Sequence, residues 1–218
     1  MTRRRLYLMR HADVAYFVDG RPVRPDDVSL TEKGREQARA ARDVFADADF
    51  DLVLTSGLPR TVETARIVAP DHEPQKWPEL RELEGGRLGE LPEDQLEAAF
   101  VGFFKDVIPE DARFLGGETI GSLLDRVLPA VDRLVADVSW DTALAVLHGG
   151  VNRAILSYAL TRGRLYLGNF EQAPACINVL DVGSDWIVRA VNVAPYDLLH
   201  ARGRQTTMEE LWQQFRST

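Results

Sequence analysis

The sequence predicts an α/β protein, a three-layer α/β/α sandwich with a mainly parallel central sheet and a helical excursion. Three observations predict it. Apolar runs of strand length recur at RLYLM (5–9), FDLVLT (50–55) and TALAVLH (142–148). Each run leads into a segment with helical spacing and a helix-start signal, so strand and helix alternate. The runs are apolar throughout, as in strands covered on both faces.

Taken in order, the first strand gives way to a long loop, residues 12–29, and then to SLTEKGREQARAARDVFAD. There Ser29 or Thr31 can cap a helix whose apolar face carries Ala38, Ala41, Val44 and Phe45. The second strand runs into SGLPRTVETARIVAP, with Pro59 near the first helical turn and Pro70 past the last. Residues 71–141 then form an excursion holding the irregular stretch LRELEGGRLGELPED and two helical segments, DQLEAAFVGFFKDVI and ETIGSLLDRVLPAVDRLVADV. Phe100, Phe103 and Phe104 sit at helical spacing in the first segment and are expected to pack onto the rest of the protein, the alternative being a lid. Pro129, which lacks a backbone donor, predicts a kink or break in the second. The third strand runs into GGVNRAILSYALTR. Beyond it, ACINVLDV and WIVRAVNV flank Gly183-Ser184-Asp185 and read as a hairpin or edge pair. TMEELWQQF, capped by Thr206 or Thr207, is the closing helix. With 218 residues and no repeat or long linker, the expected organisation is one domain, 1–218, with the excursion at about 71–141.

Composition narrows the partners. The chain is 45% hydrophobic and 28% charged, with a net charge of -8, so bulk charge does not draw it to nucleic acid or an anionic membrane, and any anion must be held by a local cluster of positive groups. The single cysteine, Cys176 in PACINVL, offers no internal disulfide and no zinc framework, and reads as a buried strand residue. Arg3, Arg4 and Arg5 resemble the front of a signal peptide, but Arg10, His11 and Asp13 interrupt the apolar run behind them. No window approaches a membrane span. A cytoplasmic location is the expectation. The apolar pairs in WIVRAVNV suit either a covered strand or an edge open to a partner, which leaves room for a homodimer.

In open α/β sheets, ligands sit beyond the carboxyl ends of the strands. The first strand ends at Arg10-His11, the second leads through Thr55-Ser56 to Arg60, and the third ends at His148-Gly149-Gly150. Three strand ends thus send two arginines and two histidines toward one crevice, with the excursion over it. Such groups suit a phosphoryl group. Arginine presents forked donors that match tetrahedral oxygens, and the amides that follow His148, beginning at Gly149, open a helix whose dipole favours an anion. A neutral His11 can attack phosphorus in line while Arg10, Arg60 and His148 neutralise the equatorial oxygens. The leaving alcohol needs a proton, for which Glu82 and Glu84 in LRELEGG are the two candidates.

The motifs MRHAD, SGLPRTVETA, LREL followed by a glycine, GGET and LHGGVNRAIL occur in the order seen in the histidine phosphatase superfamily, and the chain resembles its phosphoglycerate mutase-like branch from residue 5 to about 160. The resemblance implies a phosphohistidine at His11, a phosphate pocket of Arg10, Arg60 and His148, Glu82 as proton donor, and neither metal nor organic cofactor. Departures are as informative. The family's glycine, acidic or amide residue and hydroxyl residue after the RH pair are here Ala12, Asp13 and Val14; Phe17 stands where the mutases carry asparagine; the mutases' E-R-H-Y-G run is here Glu82-Leu83-Glu84-Gly85-Gly86; and their adjacent arginine pair is missing from residues 90–117. Hydrolysis of a small phosphorylated metabolite is therefore expected over a phosphoglycerate mutase-type transfer, a protein phosphohistidine phosphatase or a non-catalytic phosphoprotein-binding module. Tyr16, Phe17 and Arg21 are candidates for shaping specificity. Asn152 and Glu118 could line the site but read first as structural; His72 is expected to be exposed, His200 structural, and the basic string Arg202 to Arg204 a solvated turn or a contact to a distal acid.

Overall fold

The structure, a computed structural model, describes residues 3–18, 21–86, 91–201 and 203–217, with the backbone alone at 18, 21 and 22. Arg202 and the Arg21 side chain lie outside the described residues.

The first strand, β1 (Arg4–Arg10), is followed by a two-residue hairpin, β2 (Phe17–Val18) and β3 (Arg21–Pro22), and a 3-10 turn at Pro25–Asp27. Parts of the expected loop at 12–29 therefore have structure of their own, in elements too short for hydrophobic spacing to report. Helix α1 (Glu32–Val44) starts at Thr31, whose hydroxyl accepts from the Gly34 amide. Ala38, Ala41 and Phe45 are buried, but Val44 is 59% exposed and does not belong to the apolar face. Strand β4 (Leu52–Thr55) leads to α2 (Pro59–Val68) with Pro59 in the first turn, where its missing donor costs no helical bond. A two-residue edge strand, β5 (Gln75–Lys76), is too short to leave a periodic signal.

In the excursion, α3 (Glu93–Phe100) is half the expected length. Gly102 follows it, with its Cα so close to the Ala98 carbonyl that a Cβ would stand 2.5 Å from that oxygen. Phe103 and Phe104 leave the helix and pack on Phe114, at ring separations of 5.2 and 5.4 Å. They join the main core, as expected. Of the kink or break expected at Pro129, no break occurs: helix α4 (Ile120–Ala136) runs through it, because Val127, Leu128, Ala130, Val131 and Leu134 are buried on both sides of it and tertiary packing outweighs one lost backbone bond. Strand β6 (Thr142–Leu147) and helix α5 (Gly149–Thr161) follow, then the expected hairpin of β7 (Ile177–Val182) and β8 (Trp186–Val193). Helix α6 (Thr207–Arg216) begins at Thr206 with a reciprocal capping box to Glu209.

The six-stranded sheet has the order β5-β4-β6-β1-β7-β8. β5, β4, β6 and β1 run parallel, and β7 and β8 join antiparallel. Side-chain alternation sends Leu6, Leu8, Leu52 and Leu54 to the face covered by α4 and α5, and Met9, Val53, Leu144 and Val146 to the face covered by α1 and α2. The α/β sandwich thus has two buried faces, as apolar strands require. Among the described residues no helix is long and apolar enough to cross a membrane.

Candidate active site

Register assembles the site. Arg10 pairs with Leu147, and Thr55 pairs with Val146, so the parallel strands β1, β6 and β4 end side by side. The next residues, His11, His148 and Ser56, therefore meet at one edge, and Arg60 enters from the first turn of α2. Arg10 is 9% exposed and His11, Arg60 and His148 no more than 2%, an unusual depth for four basic side chains.

Hydrogen bonding fixes the orientation of each. The His11 amide donates to Leu147 O at 2.9 Å, and His11 Nδ1 lies 2.8 Å from Ala12 O. A carbonyl can only accept, so Nδ1 carries the proton and Nε2 is left with its lone pair. Ala12 has no positive φ, so the residue that departs from glycine sits there without strain; its amide donates to Thr64 Oγ1 at 3.1 Å. His148 Nε2 is 2.7 Å from Ser56 Oγ, which is 3.1 Å from Thr61 Oγ1, and Thr61 gives its only proton to Leu58 O at 2.8 Å. Followed backward, that chain makes Ser56 the donor to Thr61 and His148 Nε2 the donor to Ser56, which leaves His148 Nδ1 bare. Arg10 donates to the Gln172 carbonyl and, at 3.2 Å, to Thr207 Oγ1; Arg60 donates to the Pro25 carbonyl.

Five buried side-chain nitrogen or oxygen atoms among the described residues have no hydrogen-bond partner, and three of them belong to this cluster: Arg10 Nε, Arg60 Nε and His148 Nδ1. Burial first, and then the charges of Arg60 and Arg10, push His11 well below its ordinary imidazole value. His148 is lowered by burial, Arg60, His11 and Arg10 in the same way. Both rings are neutral, 5.3 Å apart and roughly edge to face. A concentrated positive field, unpartnered guanidinium donors and a neutral imidazole nitrogen can bind an oxyanion and attack it.

Of the two glutamates, Glu82 is the one that reaches the site. Its carboxylate accepts from the Gly150 amide at 3.0 and 3.2 Å and from the Leu83 amide at 2.9 Å. Gly150 permits that approach, since a Cβ there would lie 2.5 Å from Glu82 Oε1. Glu84 is exposed and contributes its backbone, pairing with Glu118. Glu118 forms a two-pronged ion pair with Arg126 at 2.8 Å. Arg126 also donates to the carbonyls of Glu79, Arg81 and Glu82, so it clamps the segment that carries Glu82. Glu118 is therefore a support of the site and not its lining.

Gly149 is buried against the guanidiniums of Arg153 and Arg10, which lie 3.2 and 3.6 Å from where its Cβ would stand. Asn152 turns inward to Gln172 at 3.1 Å. His72 is half-buried, with Nε2 donating to Phe50 O at 2.8 Å, and so is not the exposed residue expected; His200 donates to Asn192 O at 2.8 Å. Tyr16 faces the cleft, and Phe17 packs 6.1 Å from Phe215 of α6.

Sequence reasoning read α6 as the closing helix but missed its place at the site. Thr207, Glu210, Leu211 and Gln214 form a wall of the cleft that opens at His11. Thr207 Oγ1 accepts from Arg10 and donates to Glu171 at 2.7 Å, while Glu171 also faces Arg153 at 3.5 Å. The capping box marks where α6 begins, but no local signal says where it docks. Among the described residues no group of three or more His, Cys, Asp or Glu side chains could hold a metal ion.

A mainly parallel sheet with two histidines and two arginines at its carboxyl edge defines an α/β enzyme whose site suits a phosphoryl group. The family model for the histidine phosphatase superfamily (branch 1) matches residues 6–193, and the chain belongs to that family. It is 30% identical over 187 residues to the adenosylcobalamin/alpha-ribazole phosphatase of Salmonella typhimurium, covering 82% of this chain and 90% of that one. It is 29% identical over 204 residues to an Arabidopsis thaliana protein named "Probable 2-carboxy-D-arabinitol-1-phosphatase", spanning 91% of this chain but only 41% of that one. The solved structure of mycobacterial glucosyl-3-phosphoglycerate phosphatase superposes with a TM-score of 0.69 at 28% identity, covering 87% of this chain and 99% of that one. The protein is a phosphatase of this superfamily.

Proposed function

We propose that the protein hydrolyses a small phosphorylated metabolite through a phosphohistidine at His11, with Arg10, Arg60 and His148 holding the phosphoryl group, Gly149 lining its seat and Glu82 moving the proton, and with no metal required. The observation that carries this reading is the gathering of unpartnered buried nitrogens on Arg10, Arg60 and His148 around the free Nε2 of His11. A bound phosphoryl group supplies partners to the guanidiniums, and its negative charge favours a proton on His148 Nδ1, which can then donate. Nε2 of His11 attacks phosphorus as the bond to the alcohol oxygen breaks in line, and protonated Glu82 gives that oxygen its proton. Water then attacks the phosphohistidine, Glu82 takes its proton, the P–N bond breaks, and inorganic phosphate leaves.

The names of the relatives point to small phosphorylated molecules, which supports a metabolite over a phosphoprotein. A cytoplasmic setting without nucleic-acid or membrane partners belongs to the same reading and is in keeping with the net charge of -8. The test is phosphate release from a panel of phosphomonoesters, with EDTA-treated protein and His11→Ala alongside and quenched samples analysed for a base-stable, acid-labile phosphoprotein. Turnover that survives EDTA, together with a phosphoprotein absent from His11→Ala, is expected. Substantial turnover by purified His11→Ala would remove His11 from the nucleophile role.

A further inference from the structure

The cleft that opens at His11 has Arg10, His11, Asp13 and Tyr16 on one wall and Glu210 and Gln214 of α6 on the other. Among the described residues that line it, Arg10 is the one cation, and it belongs to the phosphate grip. Glu210 is exposed, and its carboxylate makes no ion pair among the described residues. Asp13 accepts from Thr31 Oγ1 at 2.7 Å and lies 3.8 Å from the exposed Lys33, so its charge is partly answered. Tyr16 lines the cleft together with Arg10 and His11, so the cleft is continuous with the phosphate grip. Burial raises the Tyr16 phenol above its ordinary value against the pull of Arg60 and Arg10, so it remains a donor at working pH.

A leaving alcohol that extends from a phosphoryl group at His11 into this cleft meets two carboxylates, a phenol and an amide. Hydroxyl and amino groups find acceptors there, whereas a carboxylate or second phosphate meets like charge. We propose that the α6 wall reads the alcohol half of the substrate and selects alcohols bearing hydroxyl or amino groups and no acid. This rests on the phosphatase reading above and goes beyond it by naming the substrate class.

The test uses nitrophenyl phosphate hydrolysis by the full chain, with glycerol 3-phosphate, phosphoethanolamine and 3-phosphoglycerate as competitors. Glycerol 3-phosphate and 3-phosphoglycerate are near-isosteres that differ by the acid. Inhibition by 3-phosphoglycerate should be about tenfold weaker than by the other two, and Glu210→Lys should narrow that ratio at least threefold. Asp43→Lys changes the net charge equally at the far end of α1 and should leave the ratio as it is. Equal or tighter binding of 3-phosphoglycerate by the wild type, or a ratio untouched by Glu210→Lys, or one moved as far by Asp43→Lys, would overturn the proposal. Failure of the underlying reading looks different: nitrophenyl phosphate turnover would then be lacking or would persist in His11→Ala, and this inference would fall with it.

Discussion

Two imidazoles are buried beside two guanidiniums that cannot give up their charge. His11 and His148 therefore stay neutral in the folded protein far below the point at which they would take a proton in the unfolded chain, near 6.5. The direction of the linkage follows. Below 6.5 the unfolded state binds protons that the folded state refuses, so stability falls as pH is lowered and is fully present above 6.5. Each histidine contributes up to about 1.4 kcal/mol per pH unit, so the pair should cost about 2 to 3 kcal/mol between pH 7.5 and 5.5. Urea unfolding at the two pH values measures it. His148→Gln should show about half the dependence, and saturating inorganic phosphate, by placing negative charge among Arg10, Arg60 and both rings, should flatten it; a midpoint indifferent to pH would show that the rings do titrate in the fold. The four basic residues were legible in the sequence because each follows an apolar strand, and parallel register does the rest. Their supports, Ser56 for His148 and the Gln172 carbonyl for Arg10, were not, because a hydrogen bond between residues 92 or 162 positions apart leaves no local pattern.

At the scale of elements, the excursion presents Glu82 through α4. Arg126 gathers three carbonyls of the 79–82 segment and both oxygens of Glu118. Burial works to raise Glu118, but its hydrogen bonds to Arg126 and the Glu84 amide overcome that and hold the carboxyl below its ordinary value. Removing Arg126 leaves a largely buried carboxylate and several carbonyls without their donor. Arg126→Gln is accordingly expected to destabilise the protein by about 3 kcal/mol. It should also loosen Glu82, so that hydrolysis of an alkyl phosphate, whose leaving oxygen needs a proton, falls roughly ten- to a hundredfold further than that of nitrophenyl phosphate. Equal losses for the two esters would show that the clamp serves the fold alone. The long apolar elements of this excursion could be read in advance, and their ends could not. Phe100, Phe103 and Phe104 keep helical spacing, yet the helix stops at Phe100 because Phe103 and Phe104 gain more by packing on Phe114 and the core than the short helix gains by continuing. Pro129 is tolerated for the converse reason, since the apolar face it interrupts is buried on either side.

Across the whole molecule, the first strand and the last helix meet at Arg10. Arg10 closes β1, and Thr207 opens α6 almost two hundred residues later, with its hydroxyl set between Arg10 and Glu171. The rest of the contact is aromatic: Phe100 of α3 stacks on Phe215 at 5.9 Å and lies 5.7 Å from Trp212, and no residue of α6 is fully buried. Among the described residues the helix is held at its start by the contacts of Thr207 with Arg10 and Glu171, and along its length by a ring cluster. The family match ends at residue 193, short of this helix. Because the hydroxyl accepts from a guanidinium whose Nε has no protein partner, it restrains the fork that would grip phosphate. Thr207→Val keeps the volume and the amide's bond to Glu171 but removes the hydroxyl that joins Arg10 to Glu171. Its expected result is a KM and a phosphate inhibition constant raised about three- to tenfold with kcat changed less, since the loss falls on binding of the phosphoryl group in ground and transition state alike. Thr207→Ser, which restores the hydroxyl without the methyl, should recover most of the affinity. If valine and serine instead behave the same, α6 acts on Arg10 through packing, and the ring cluster of Phe17, Phe100, Trp212 and Phe215 is what sets the position of the helix.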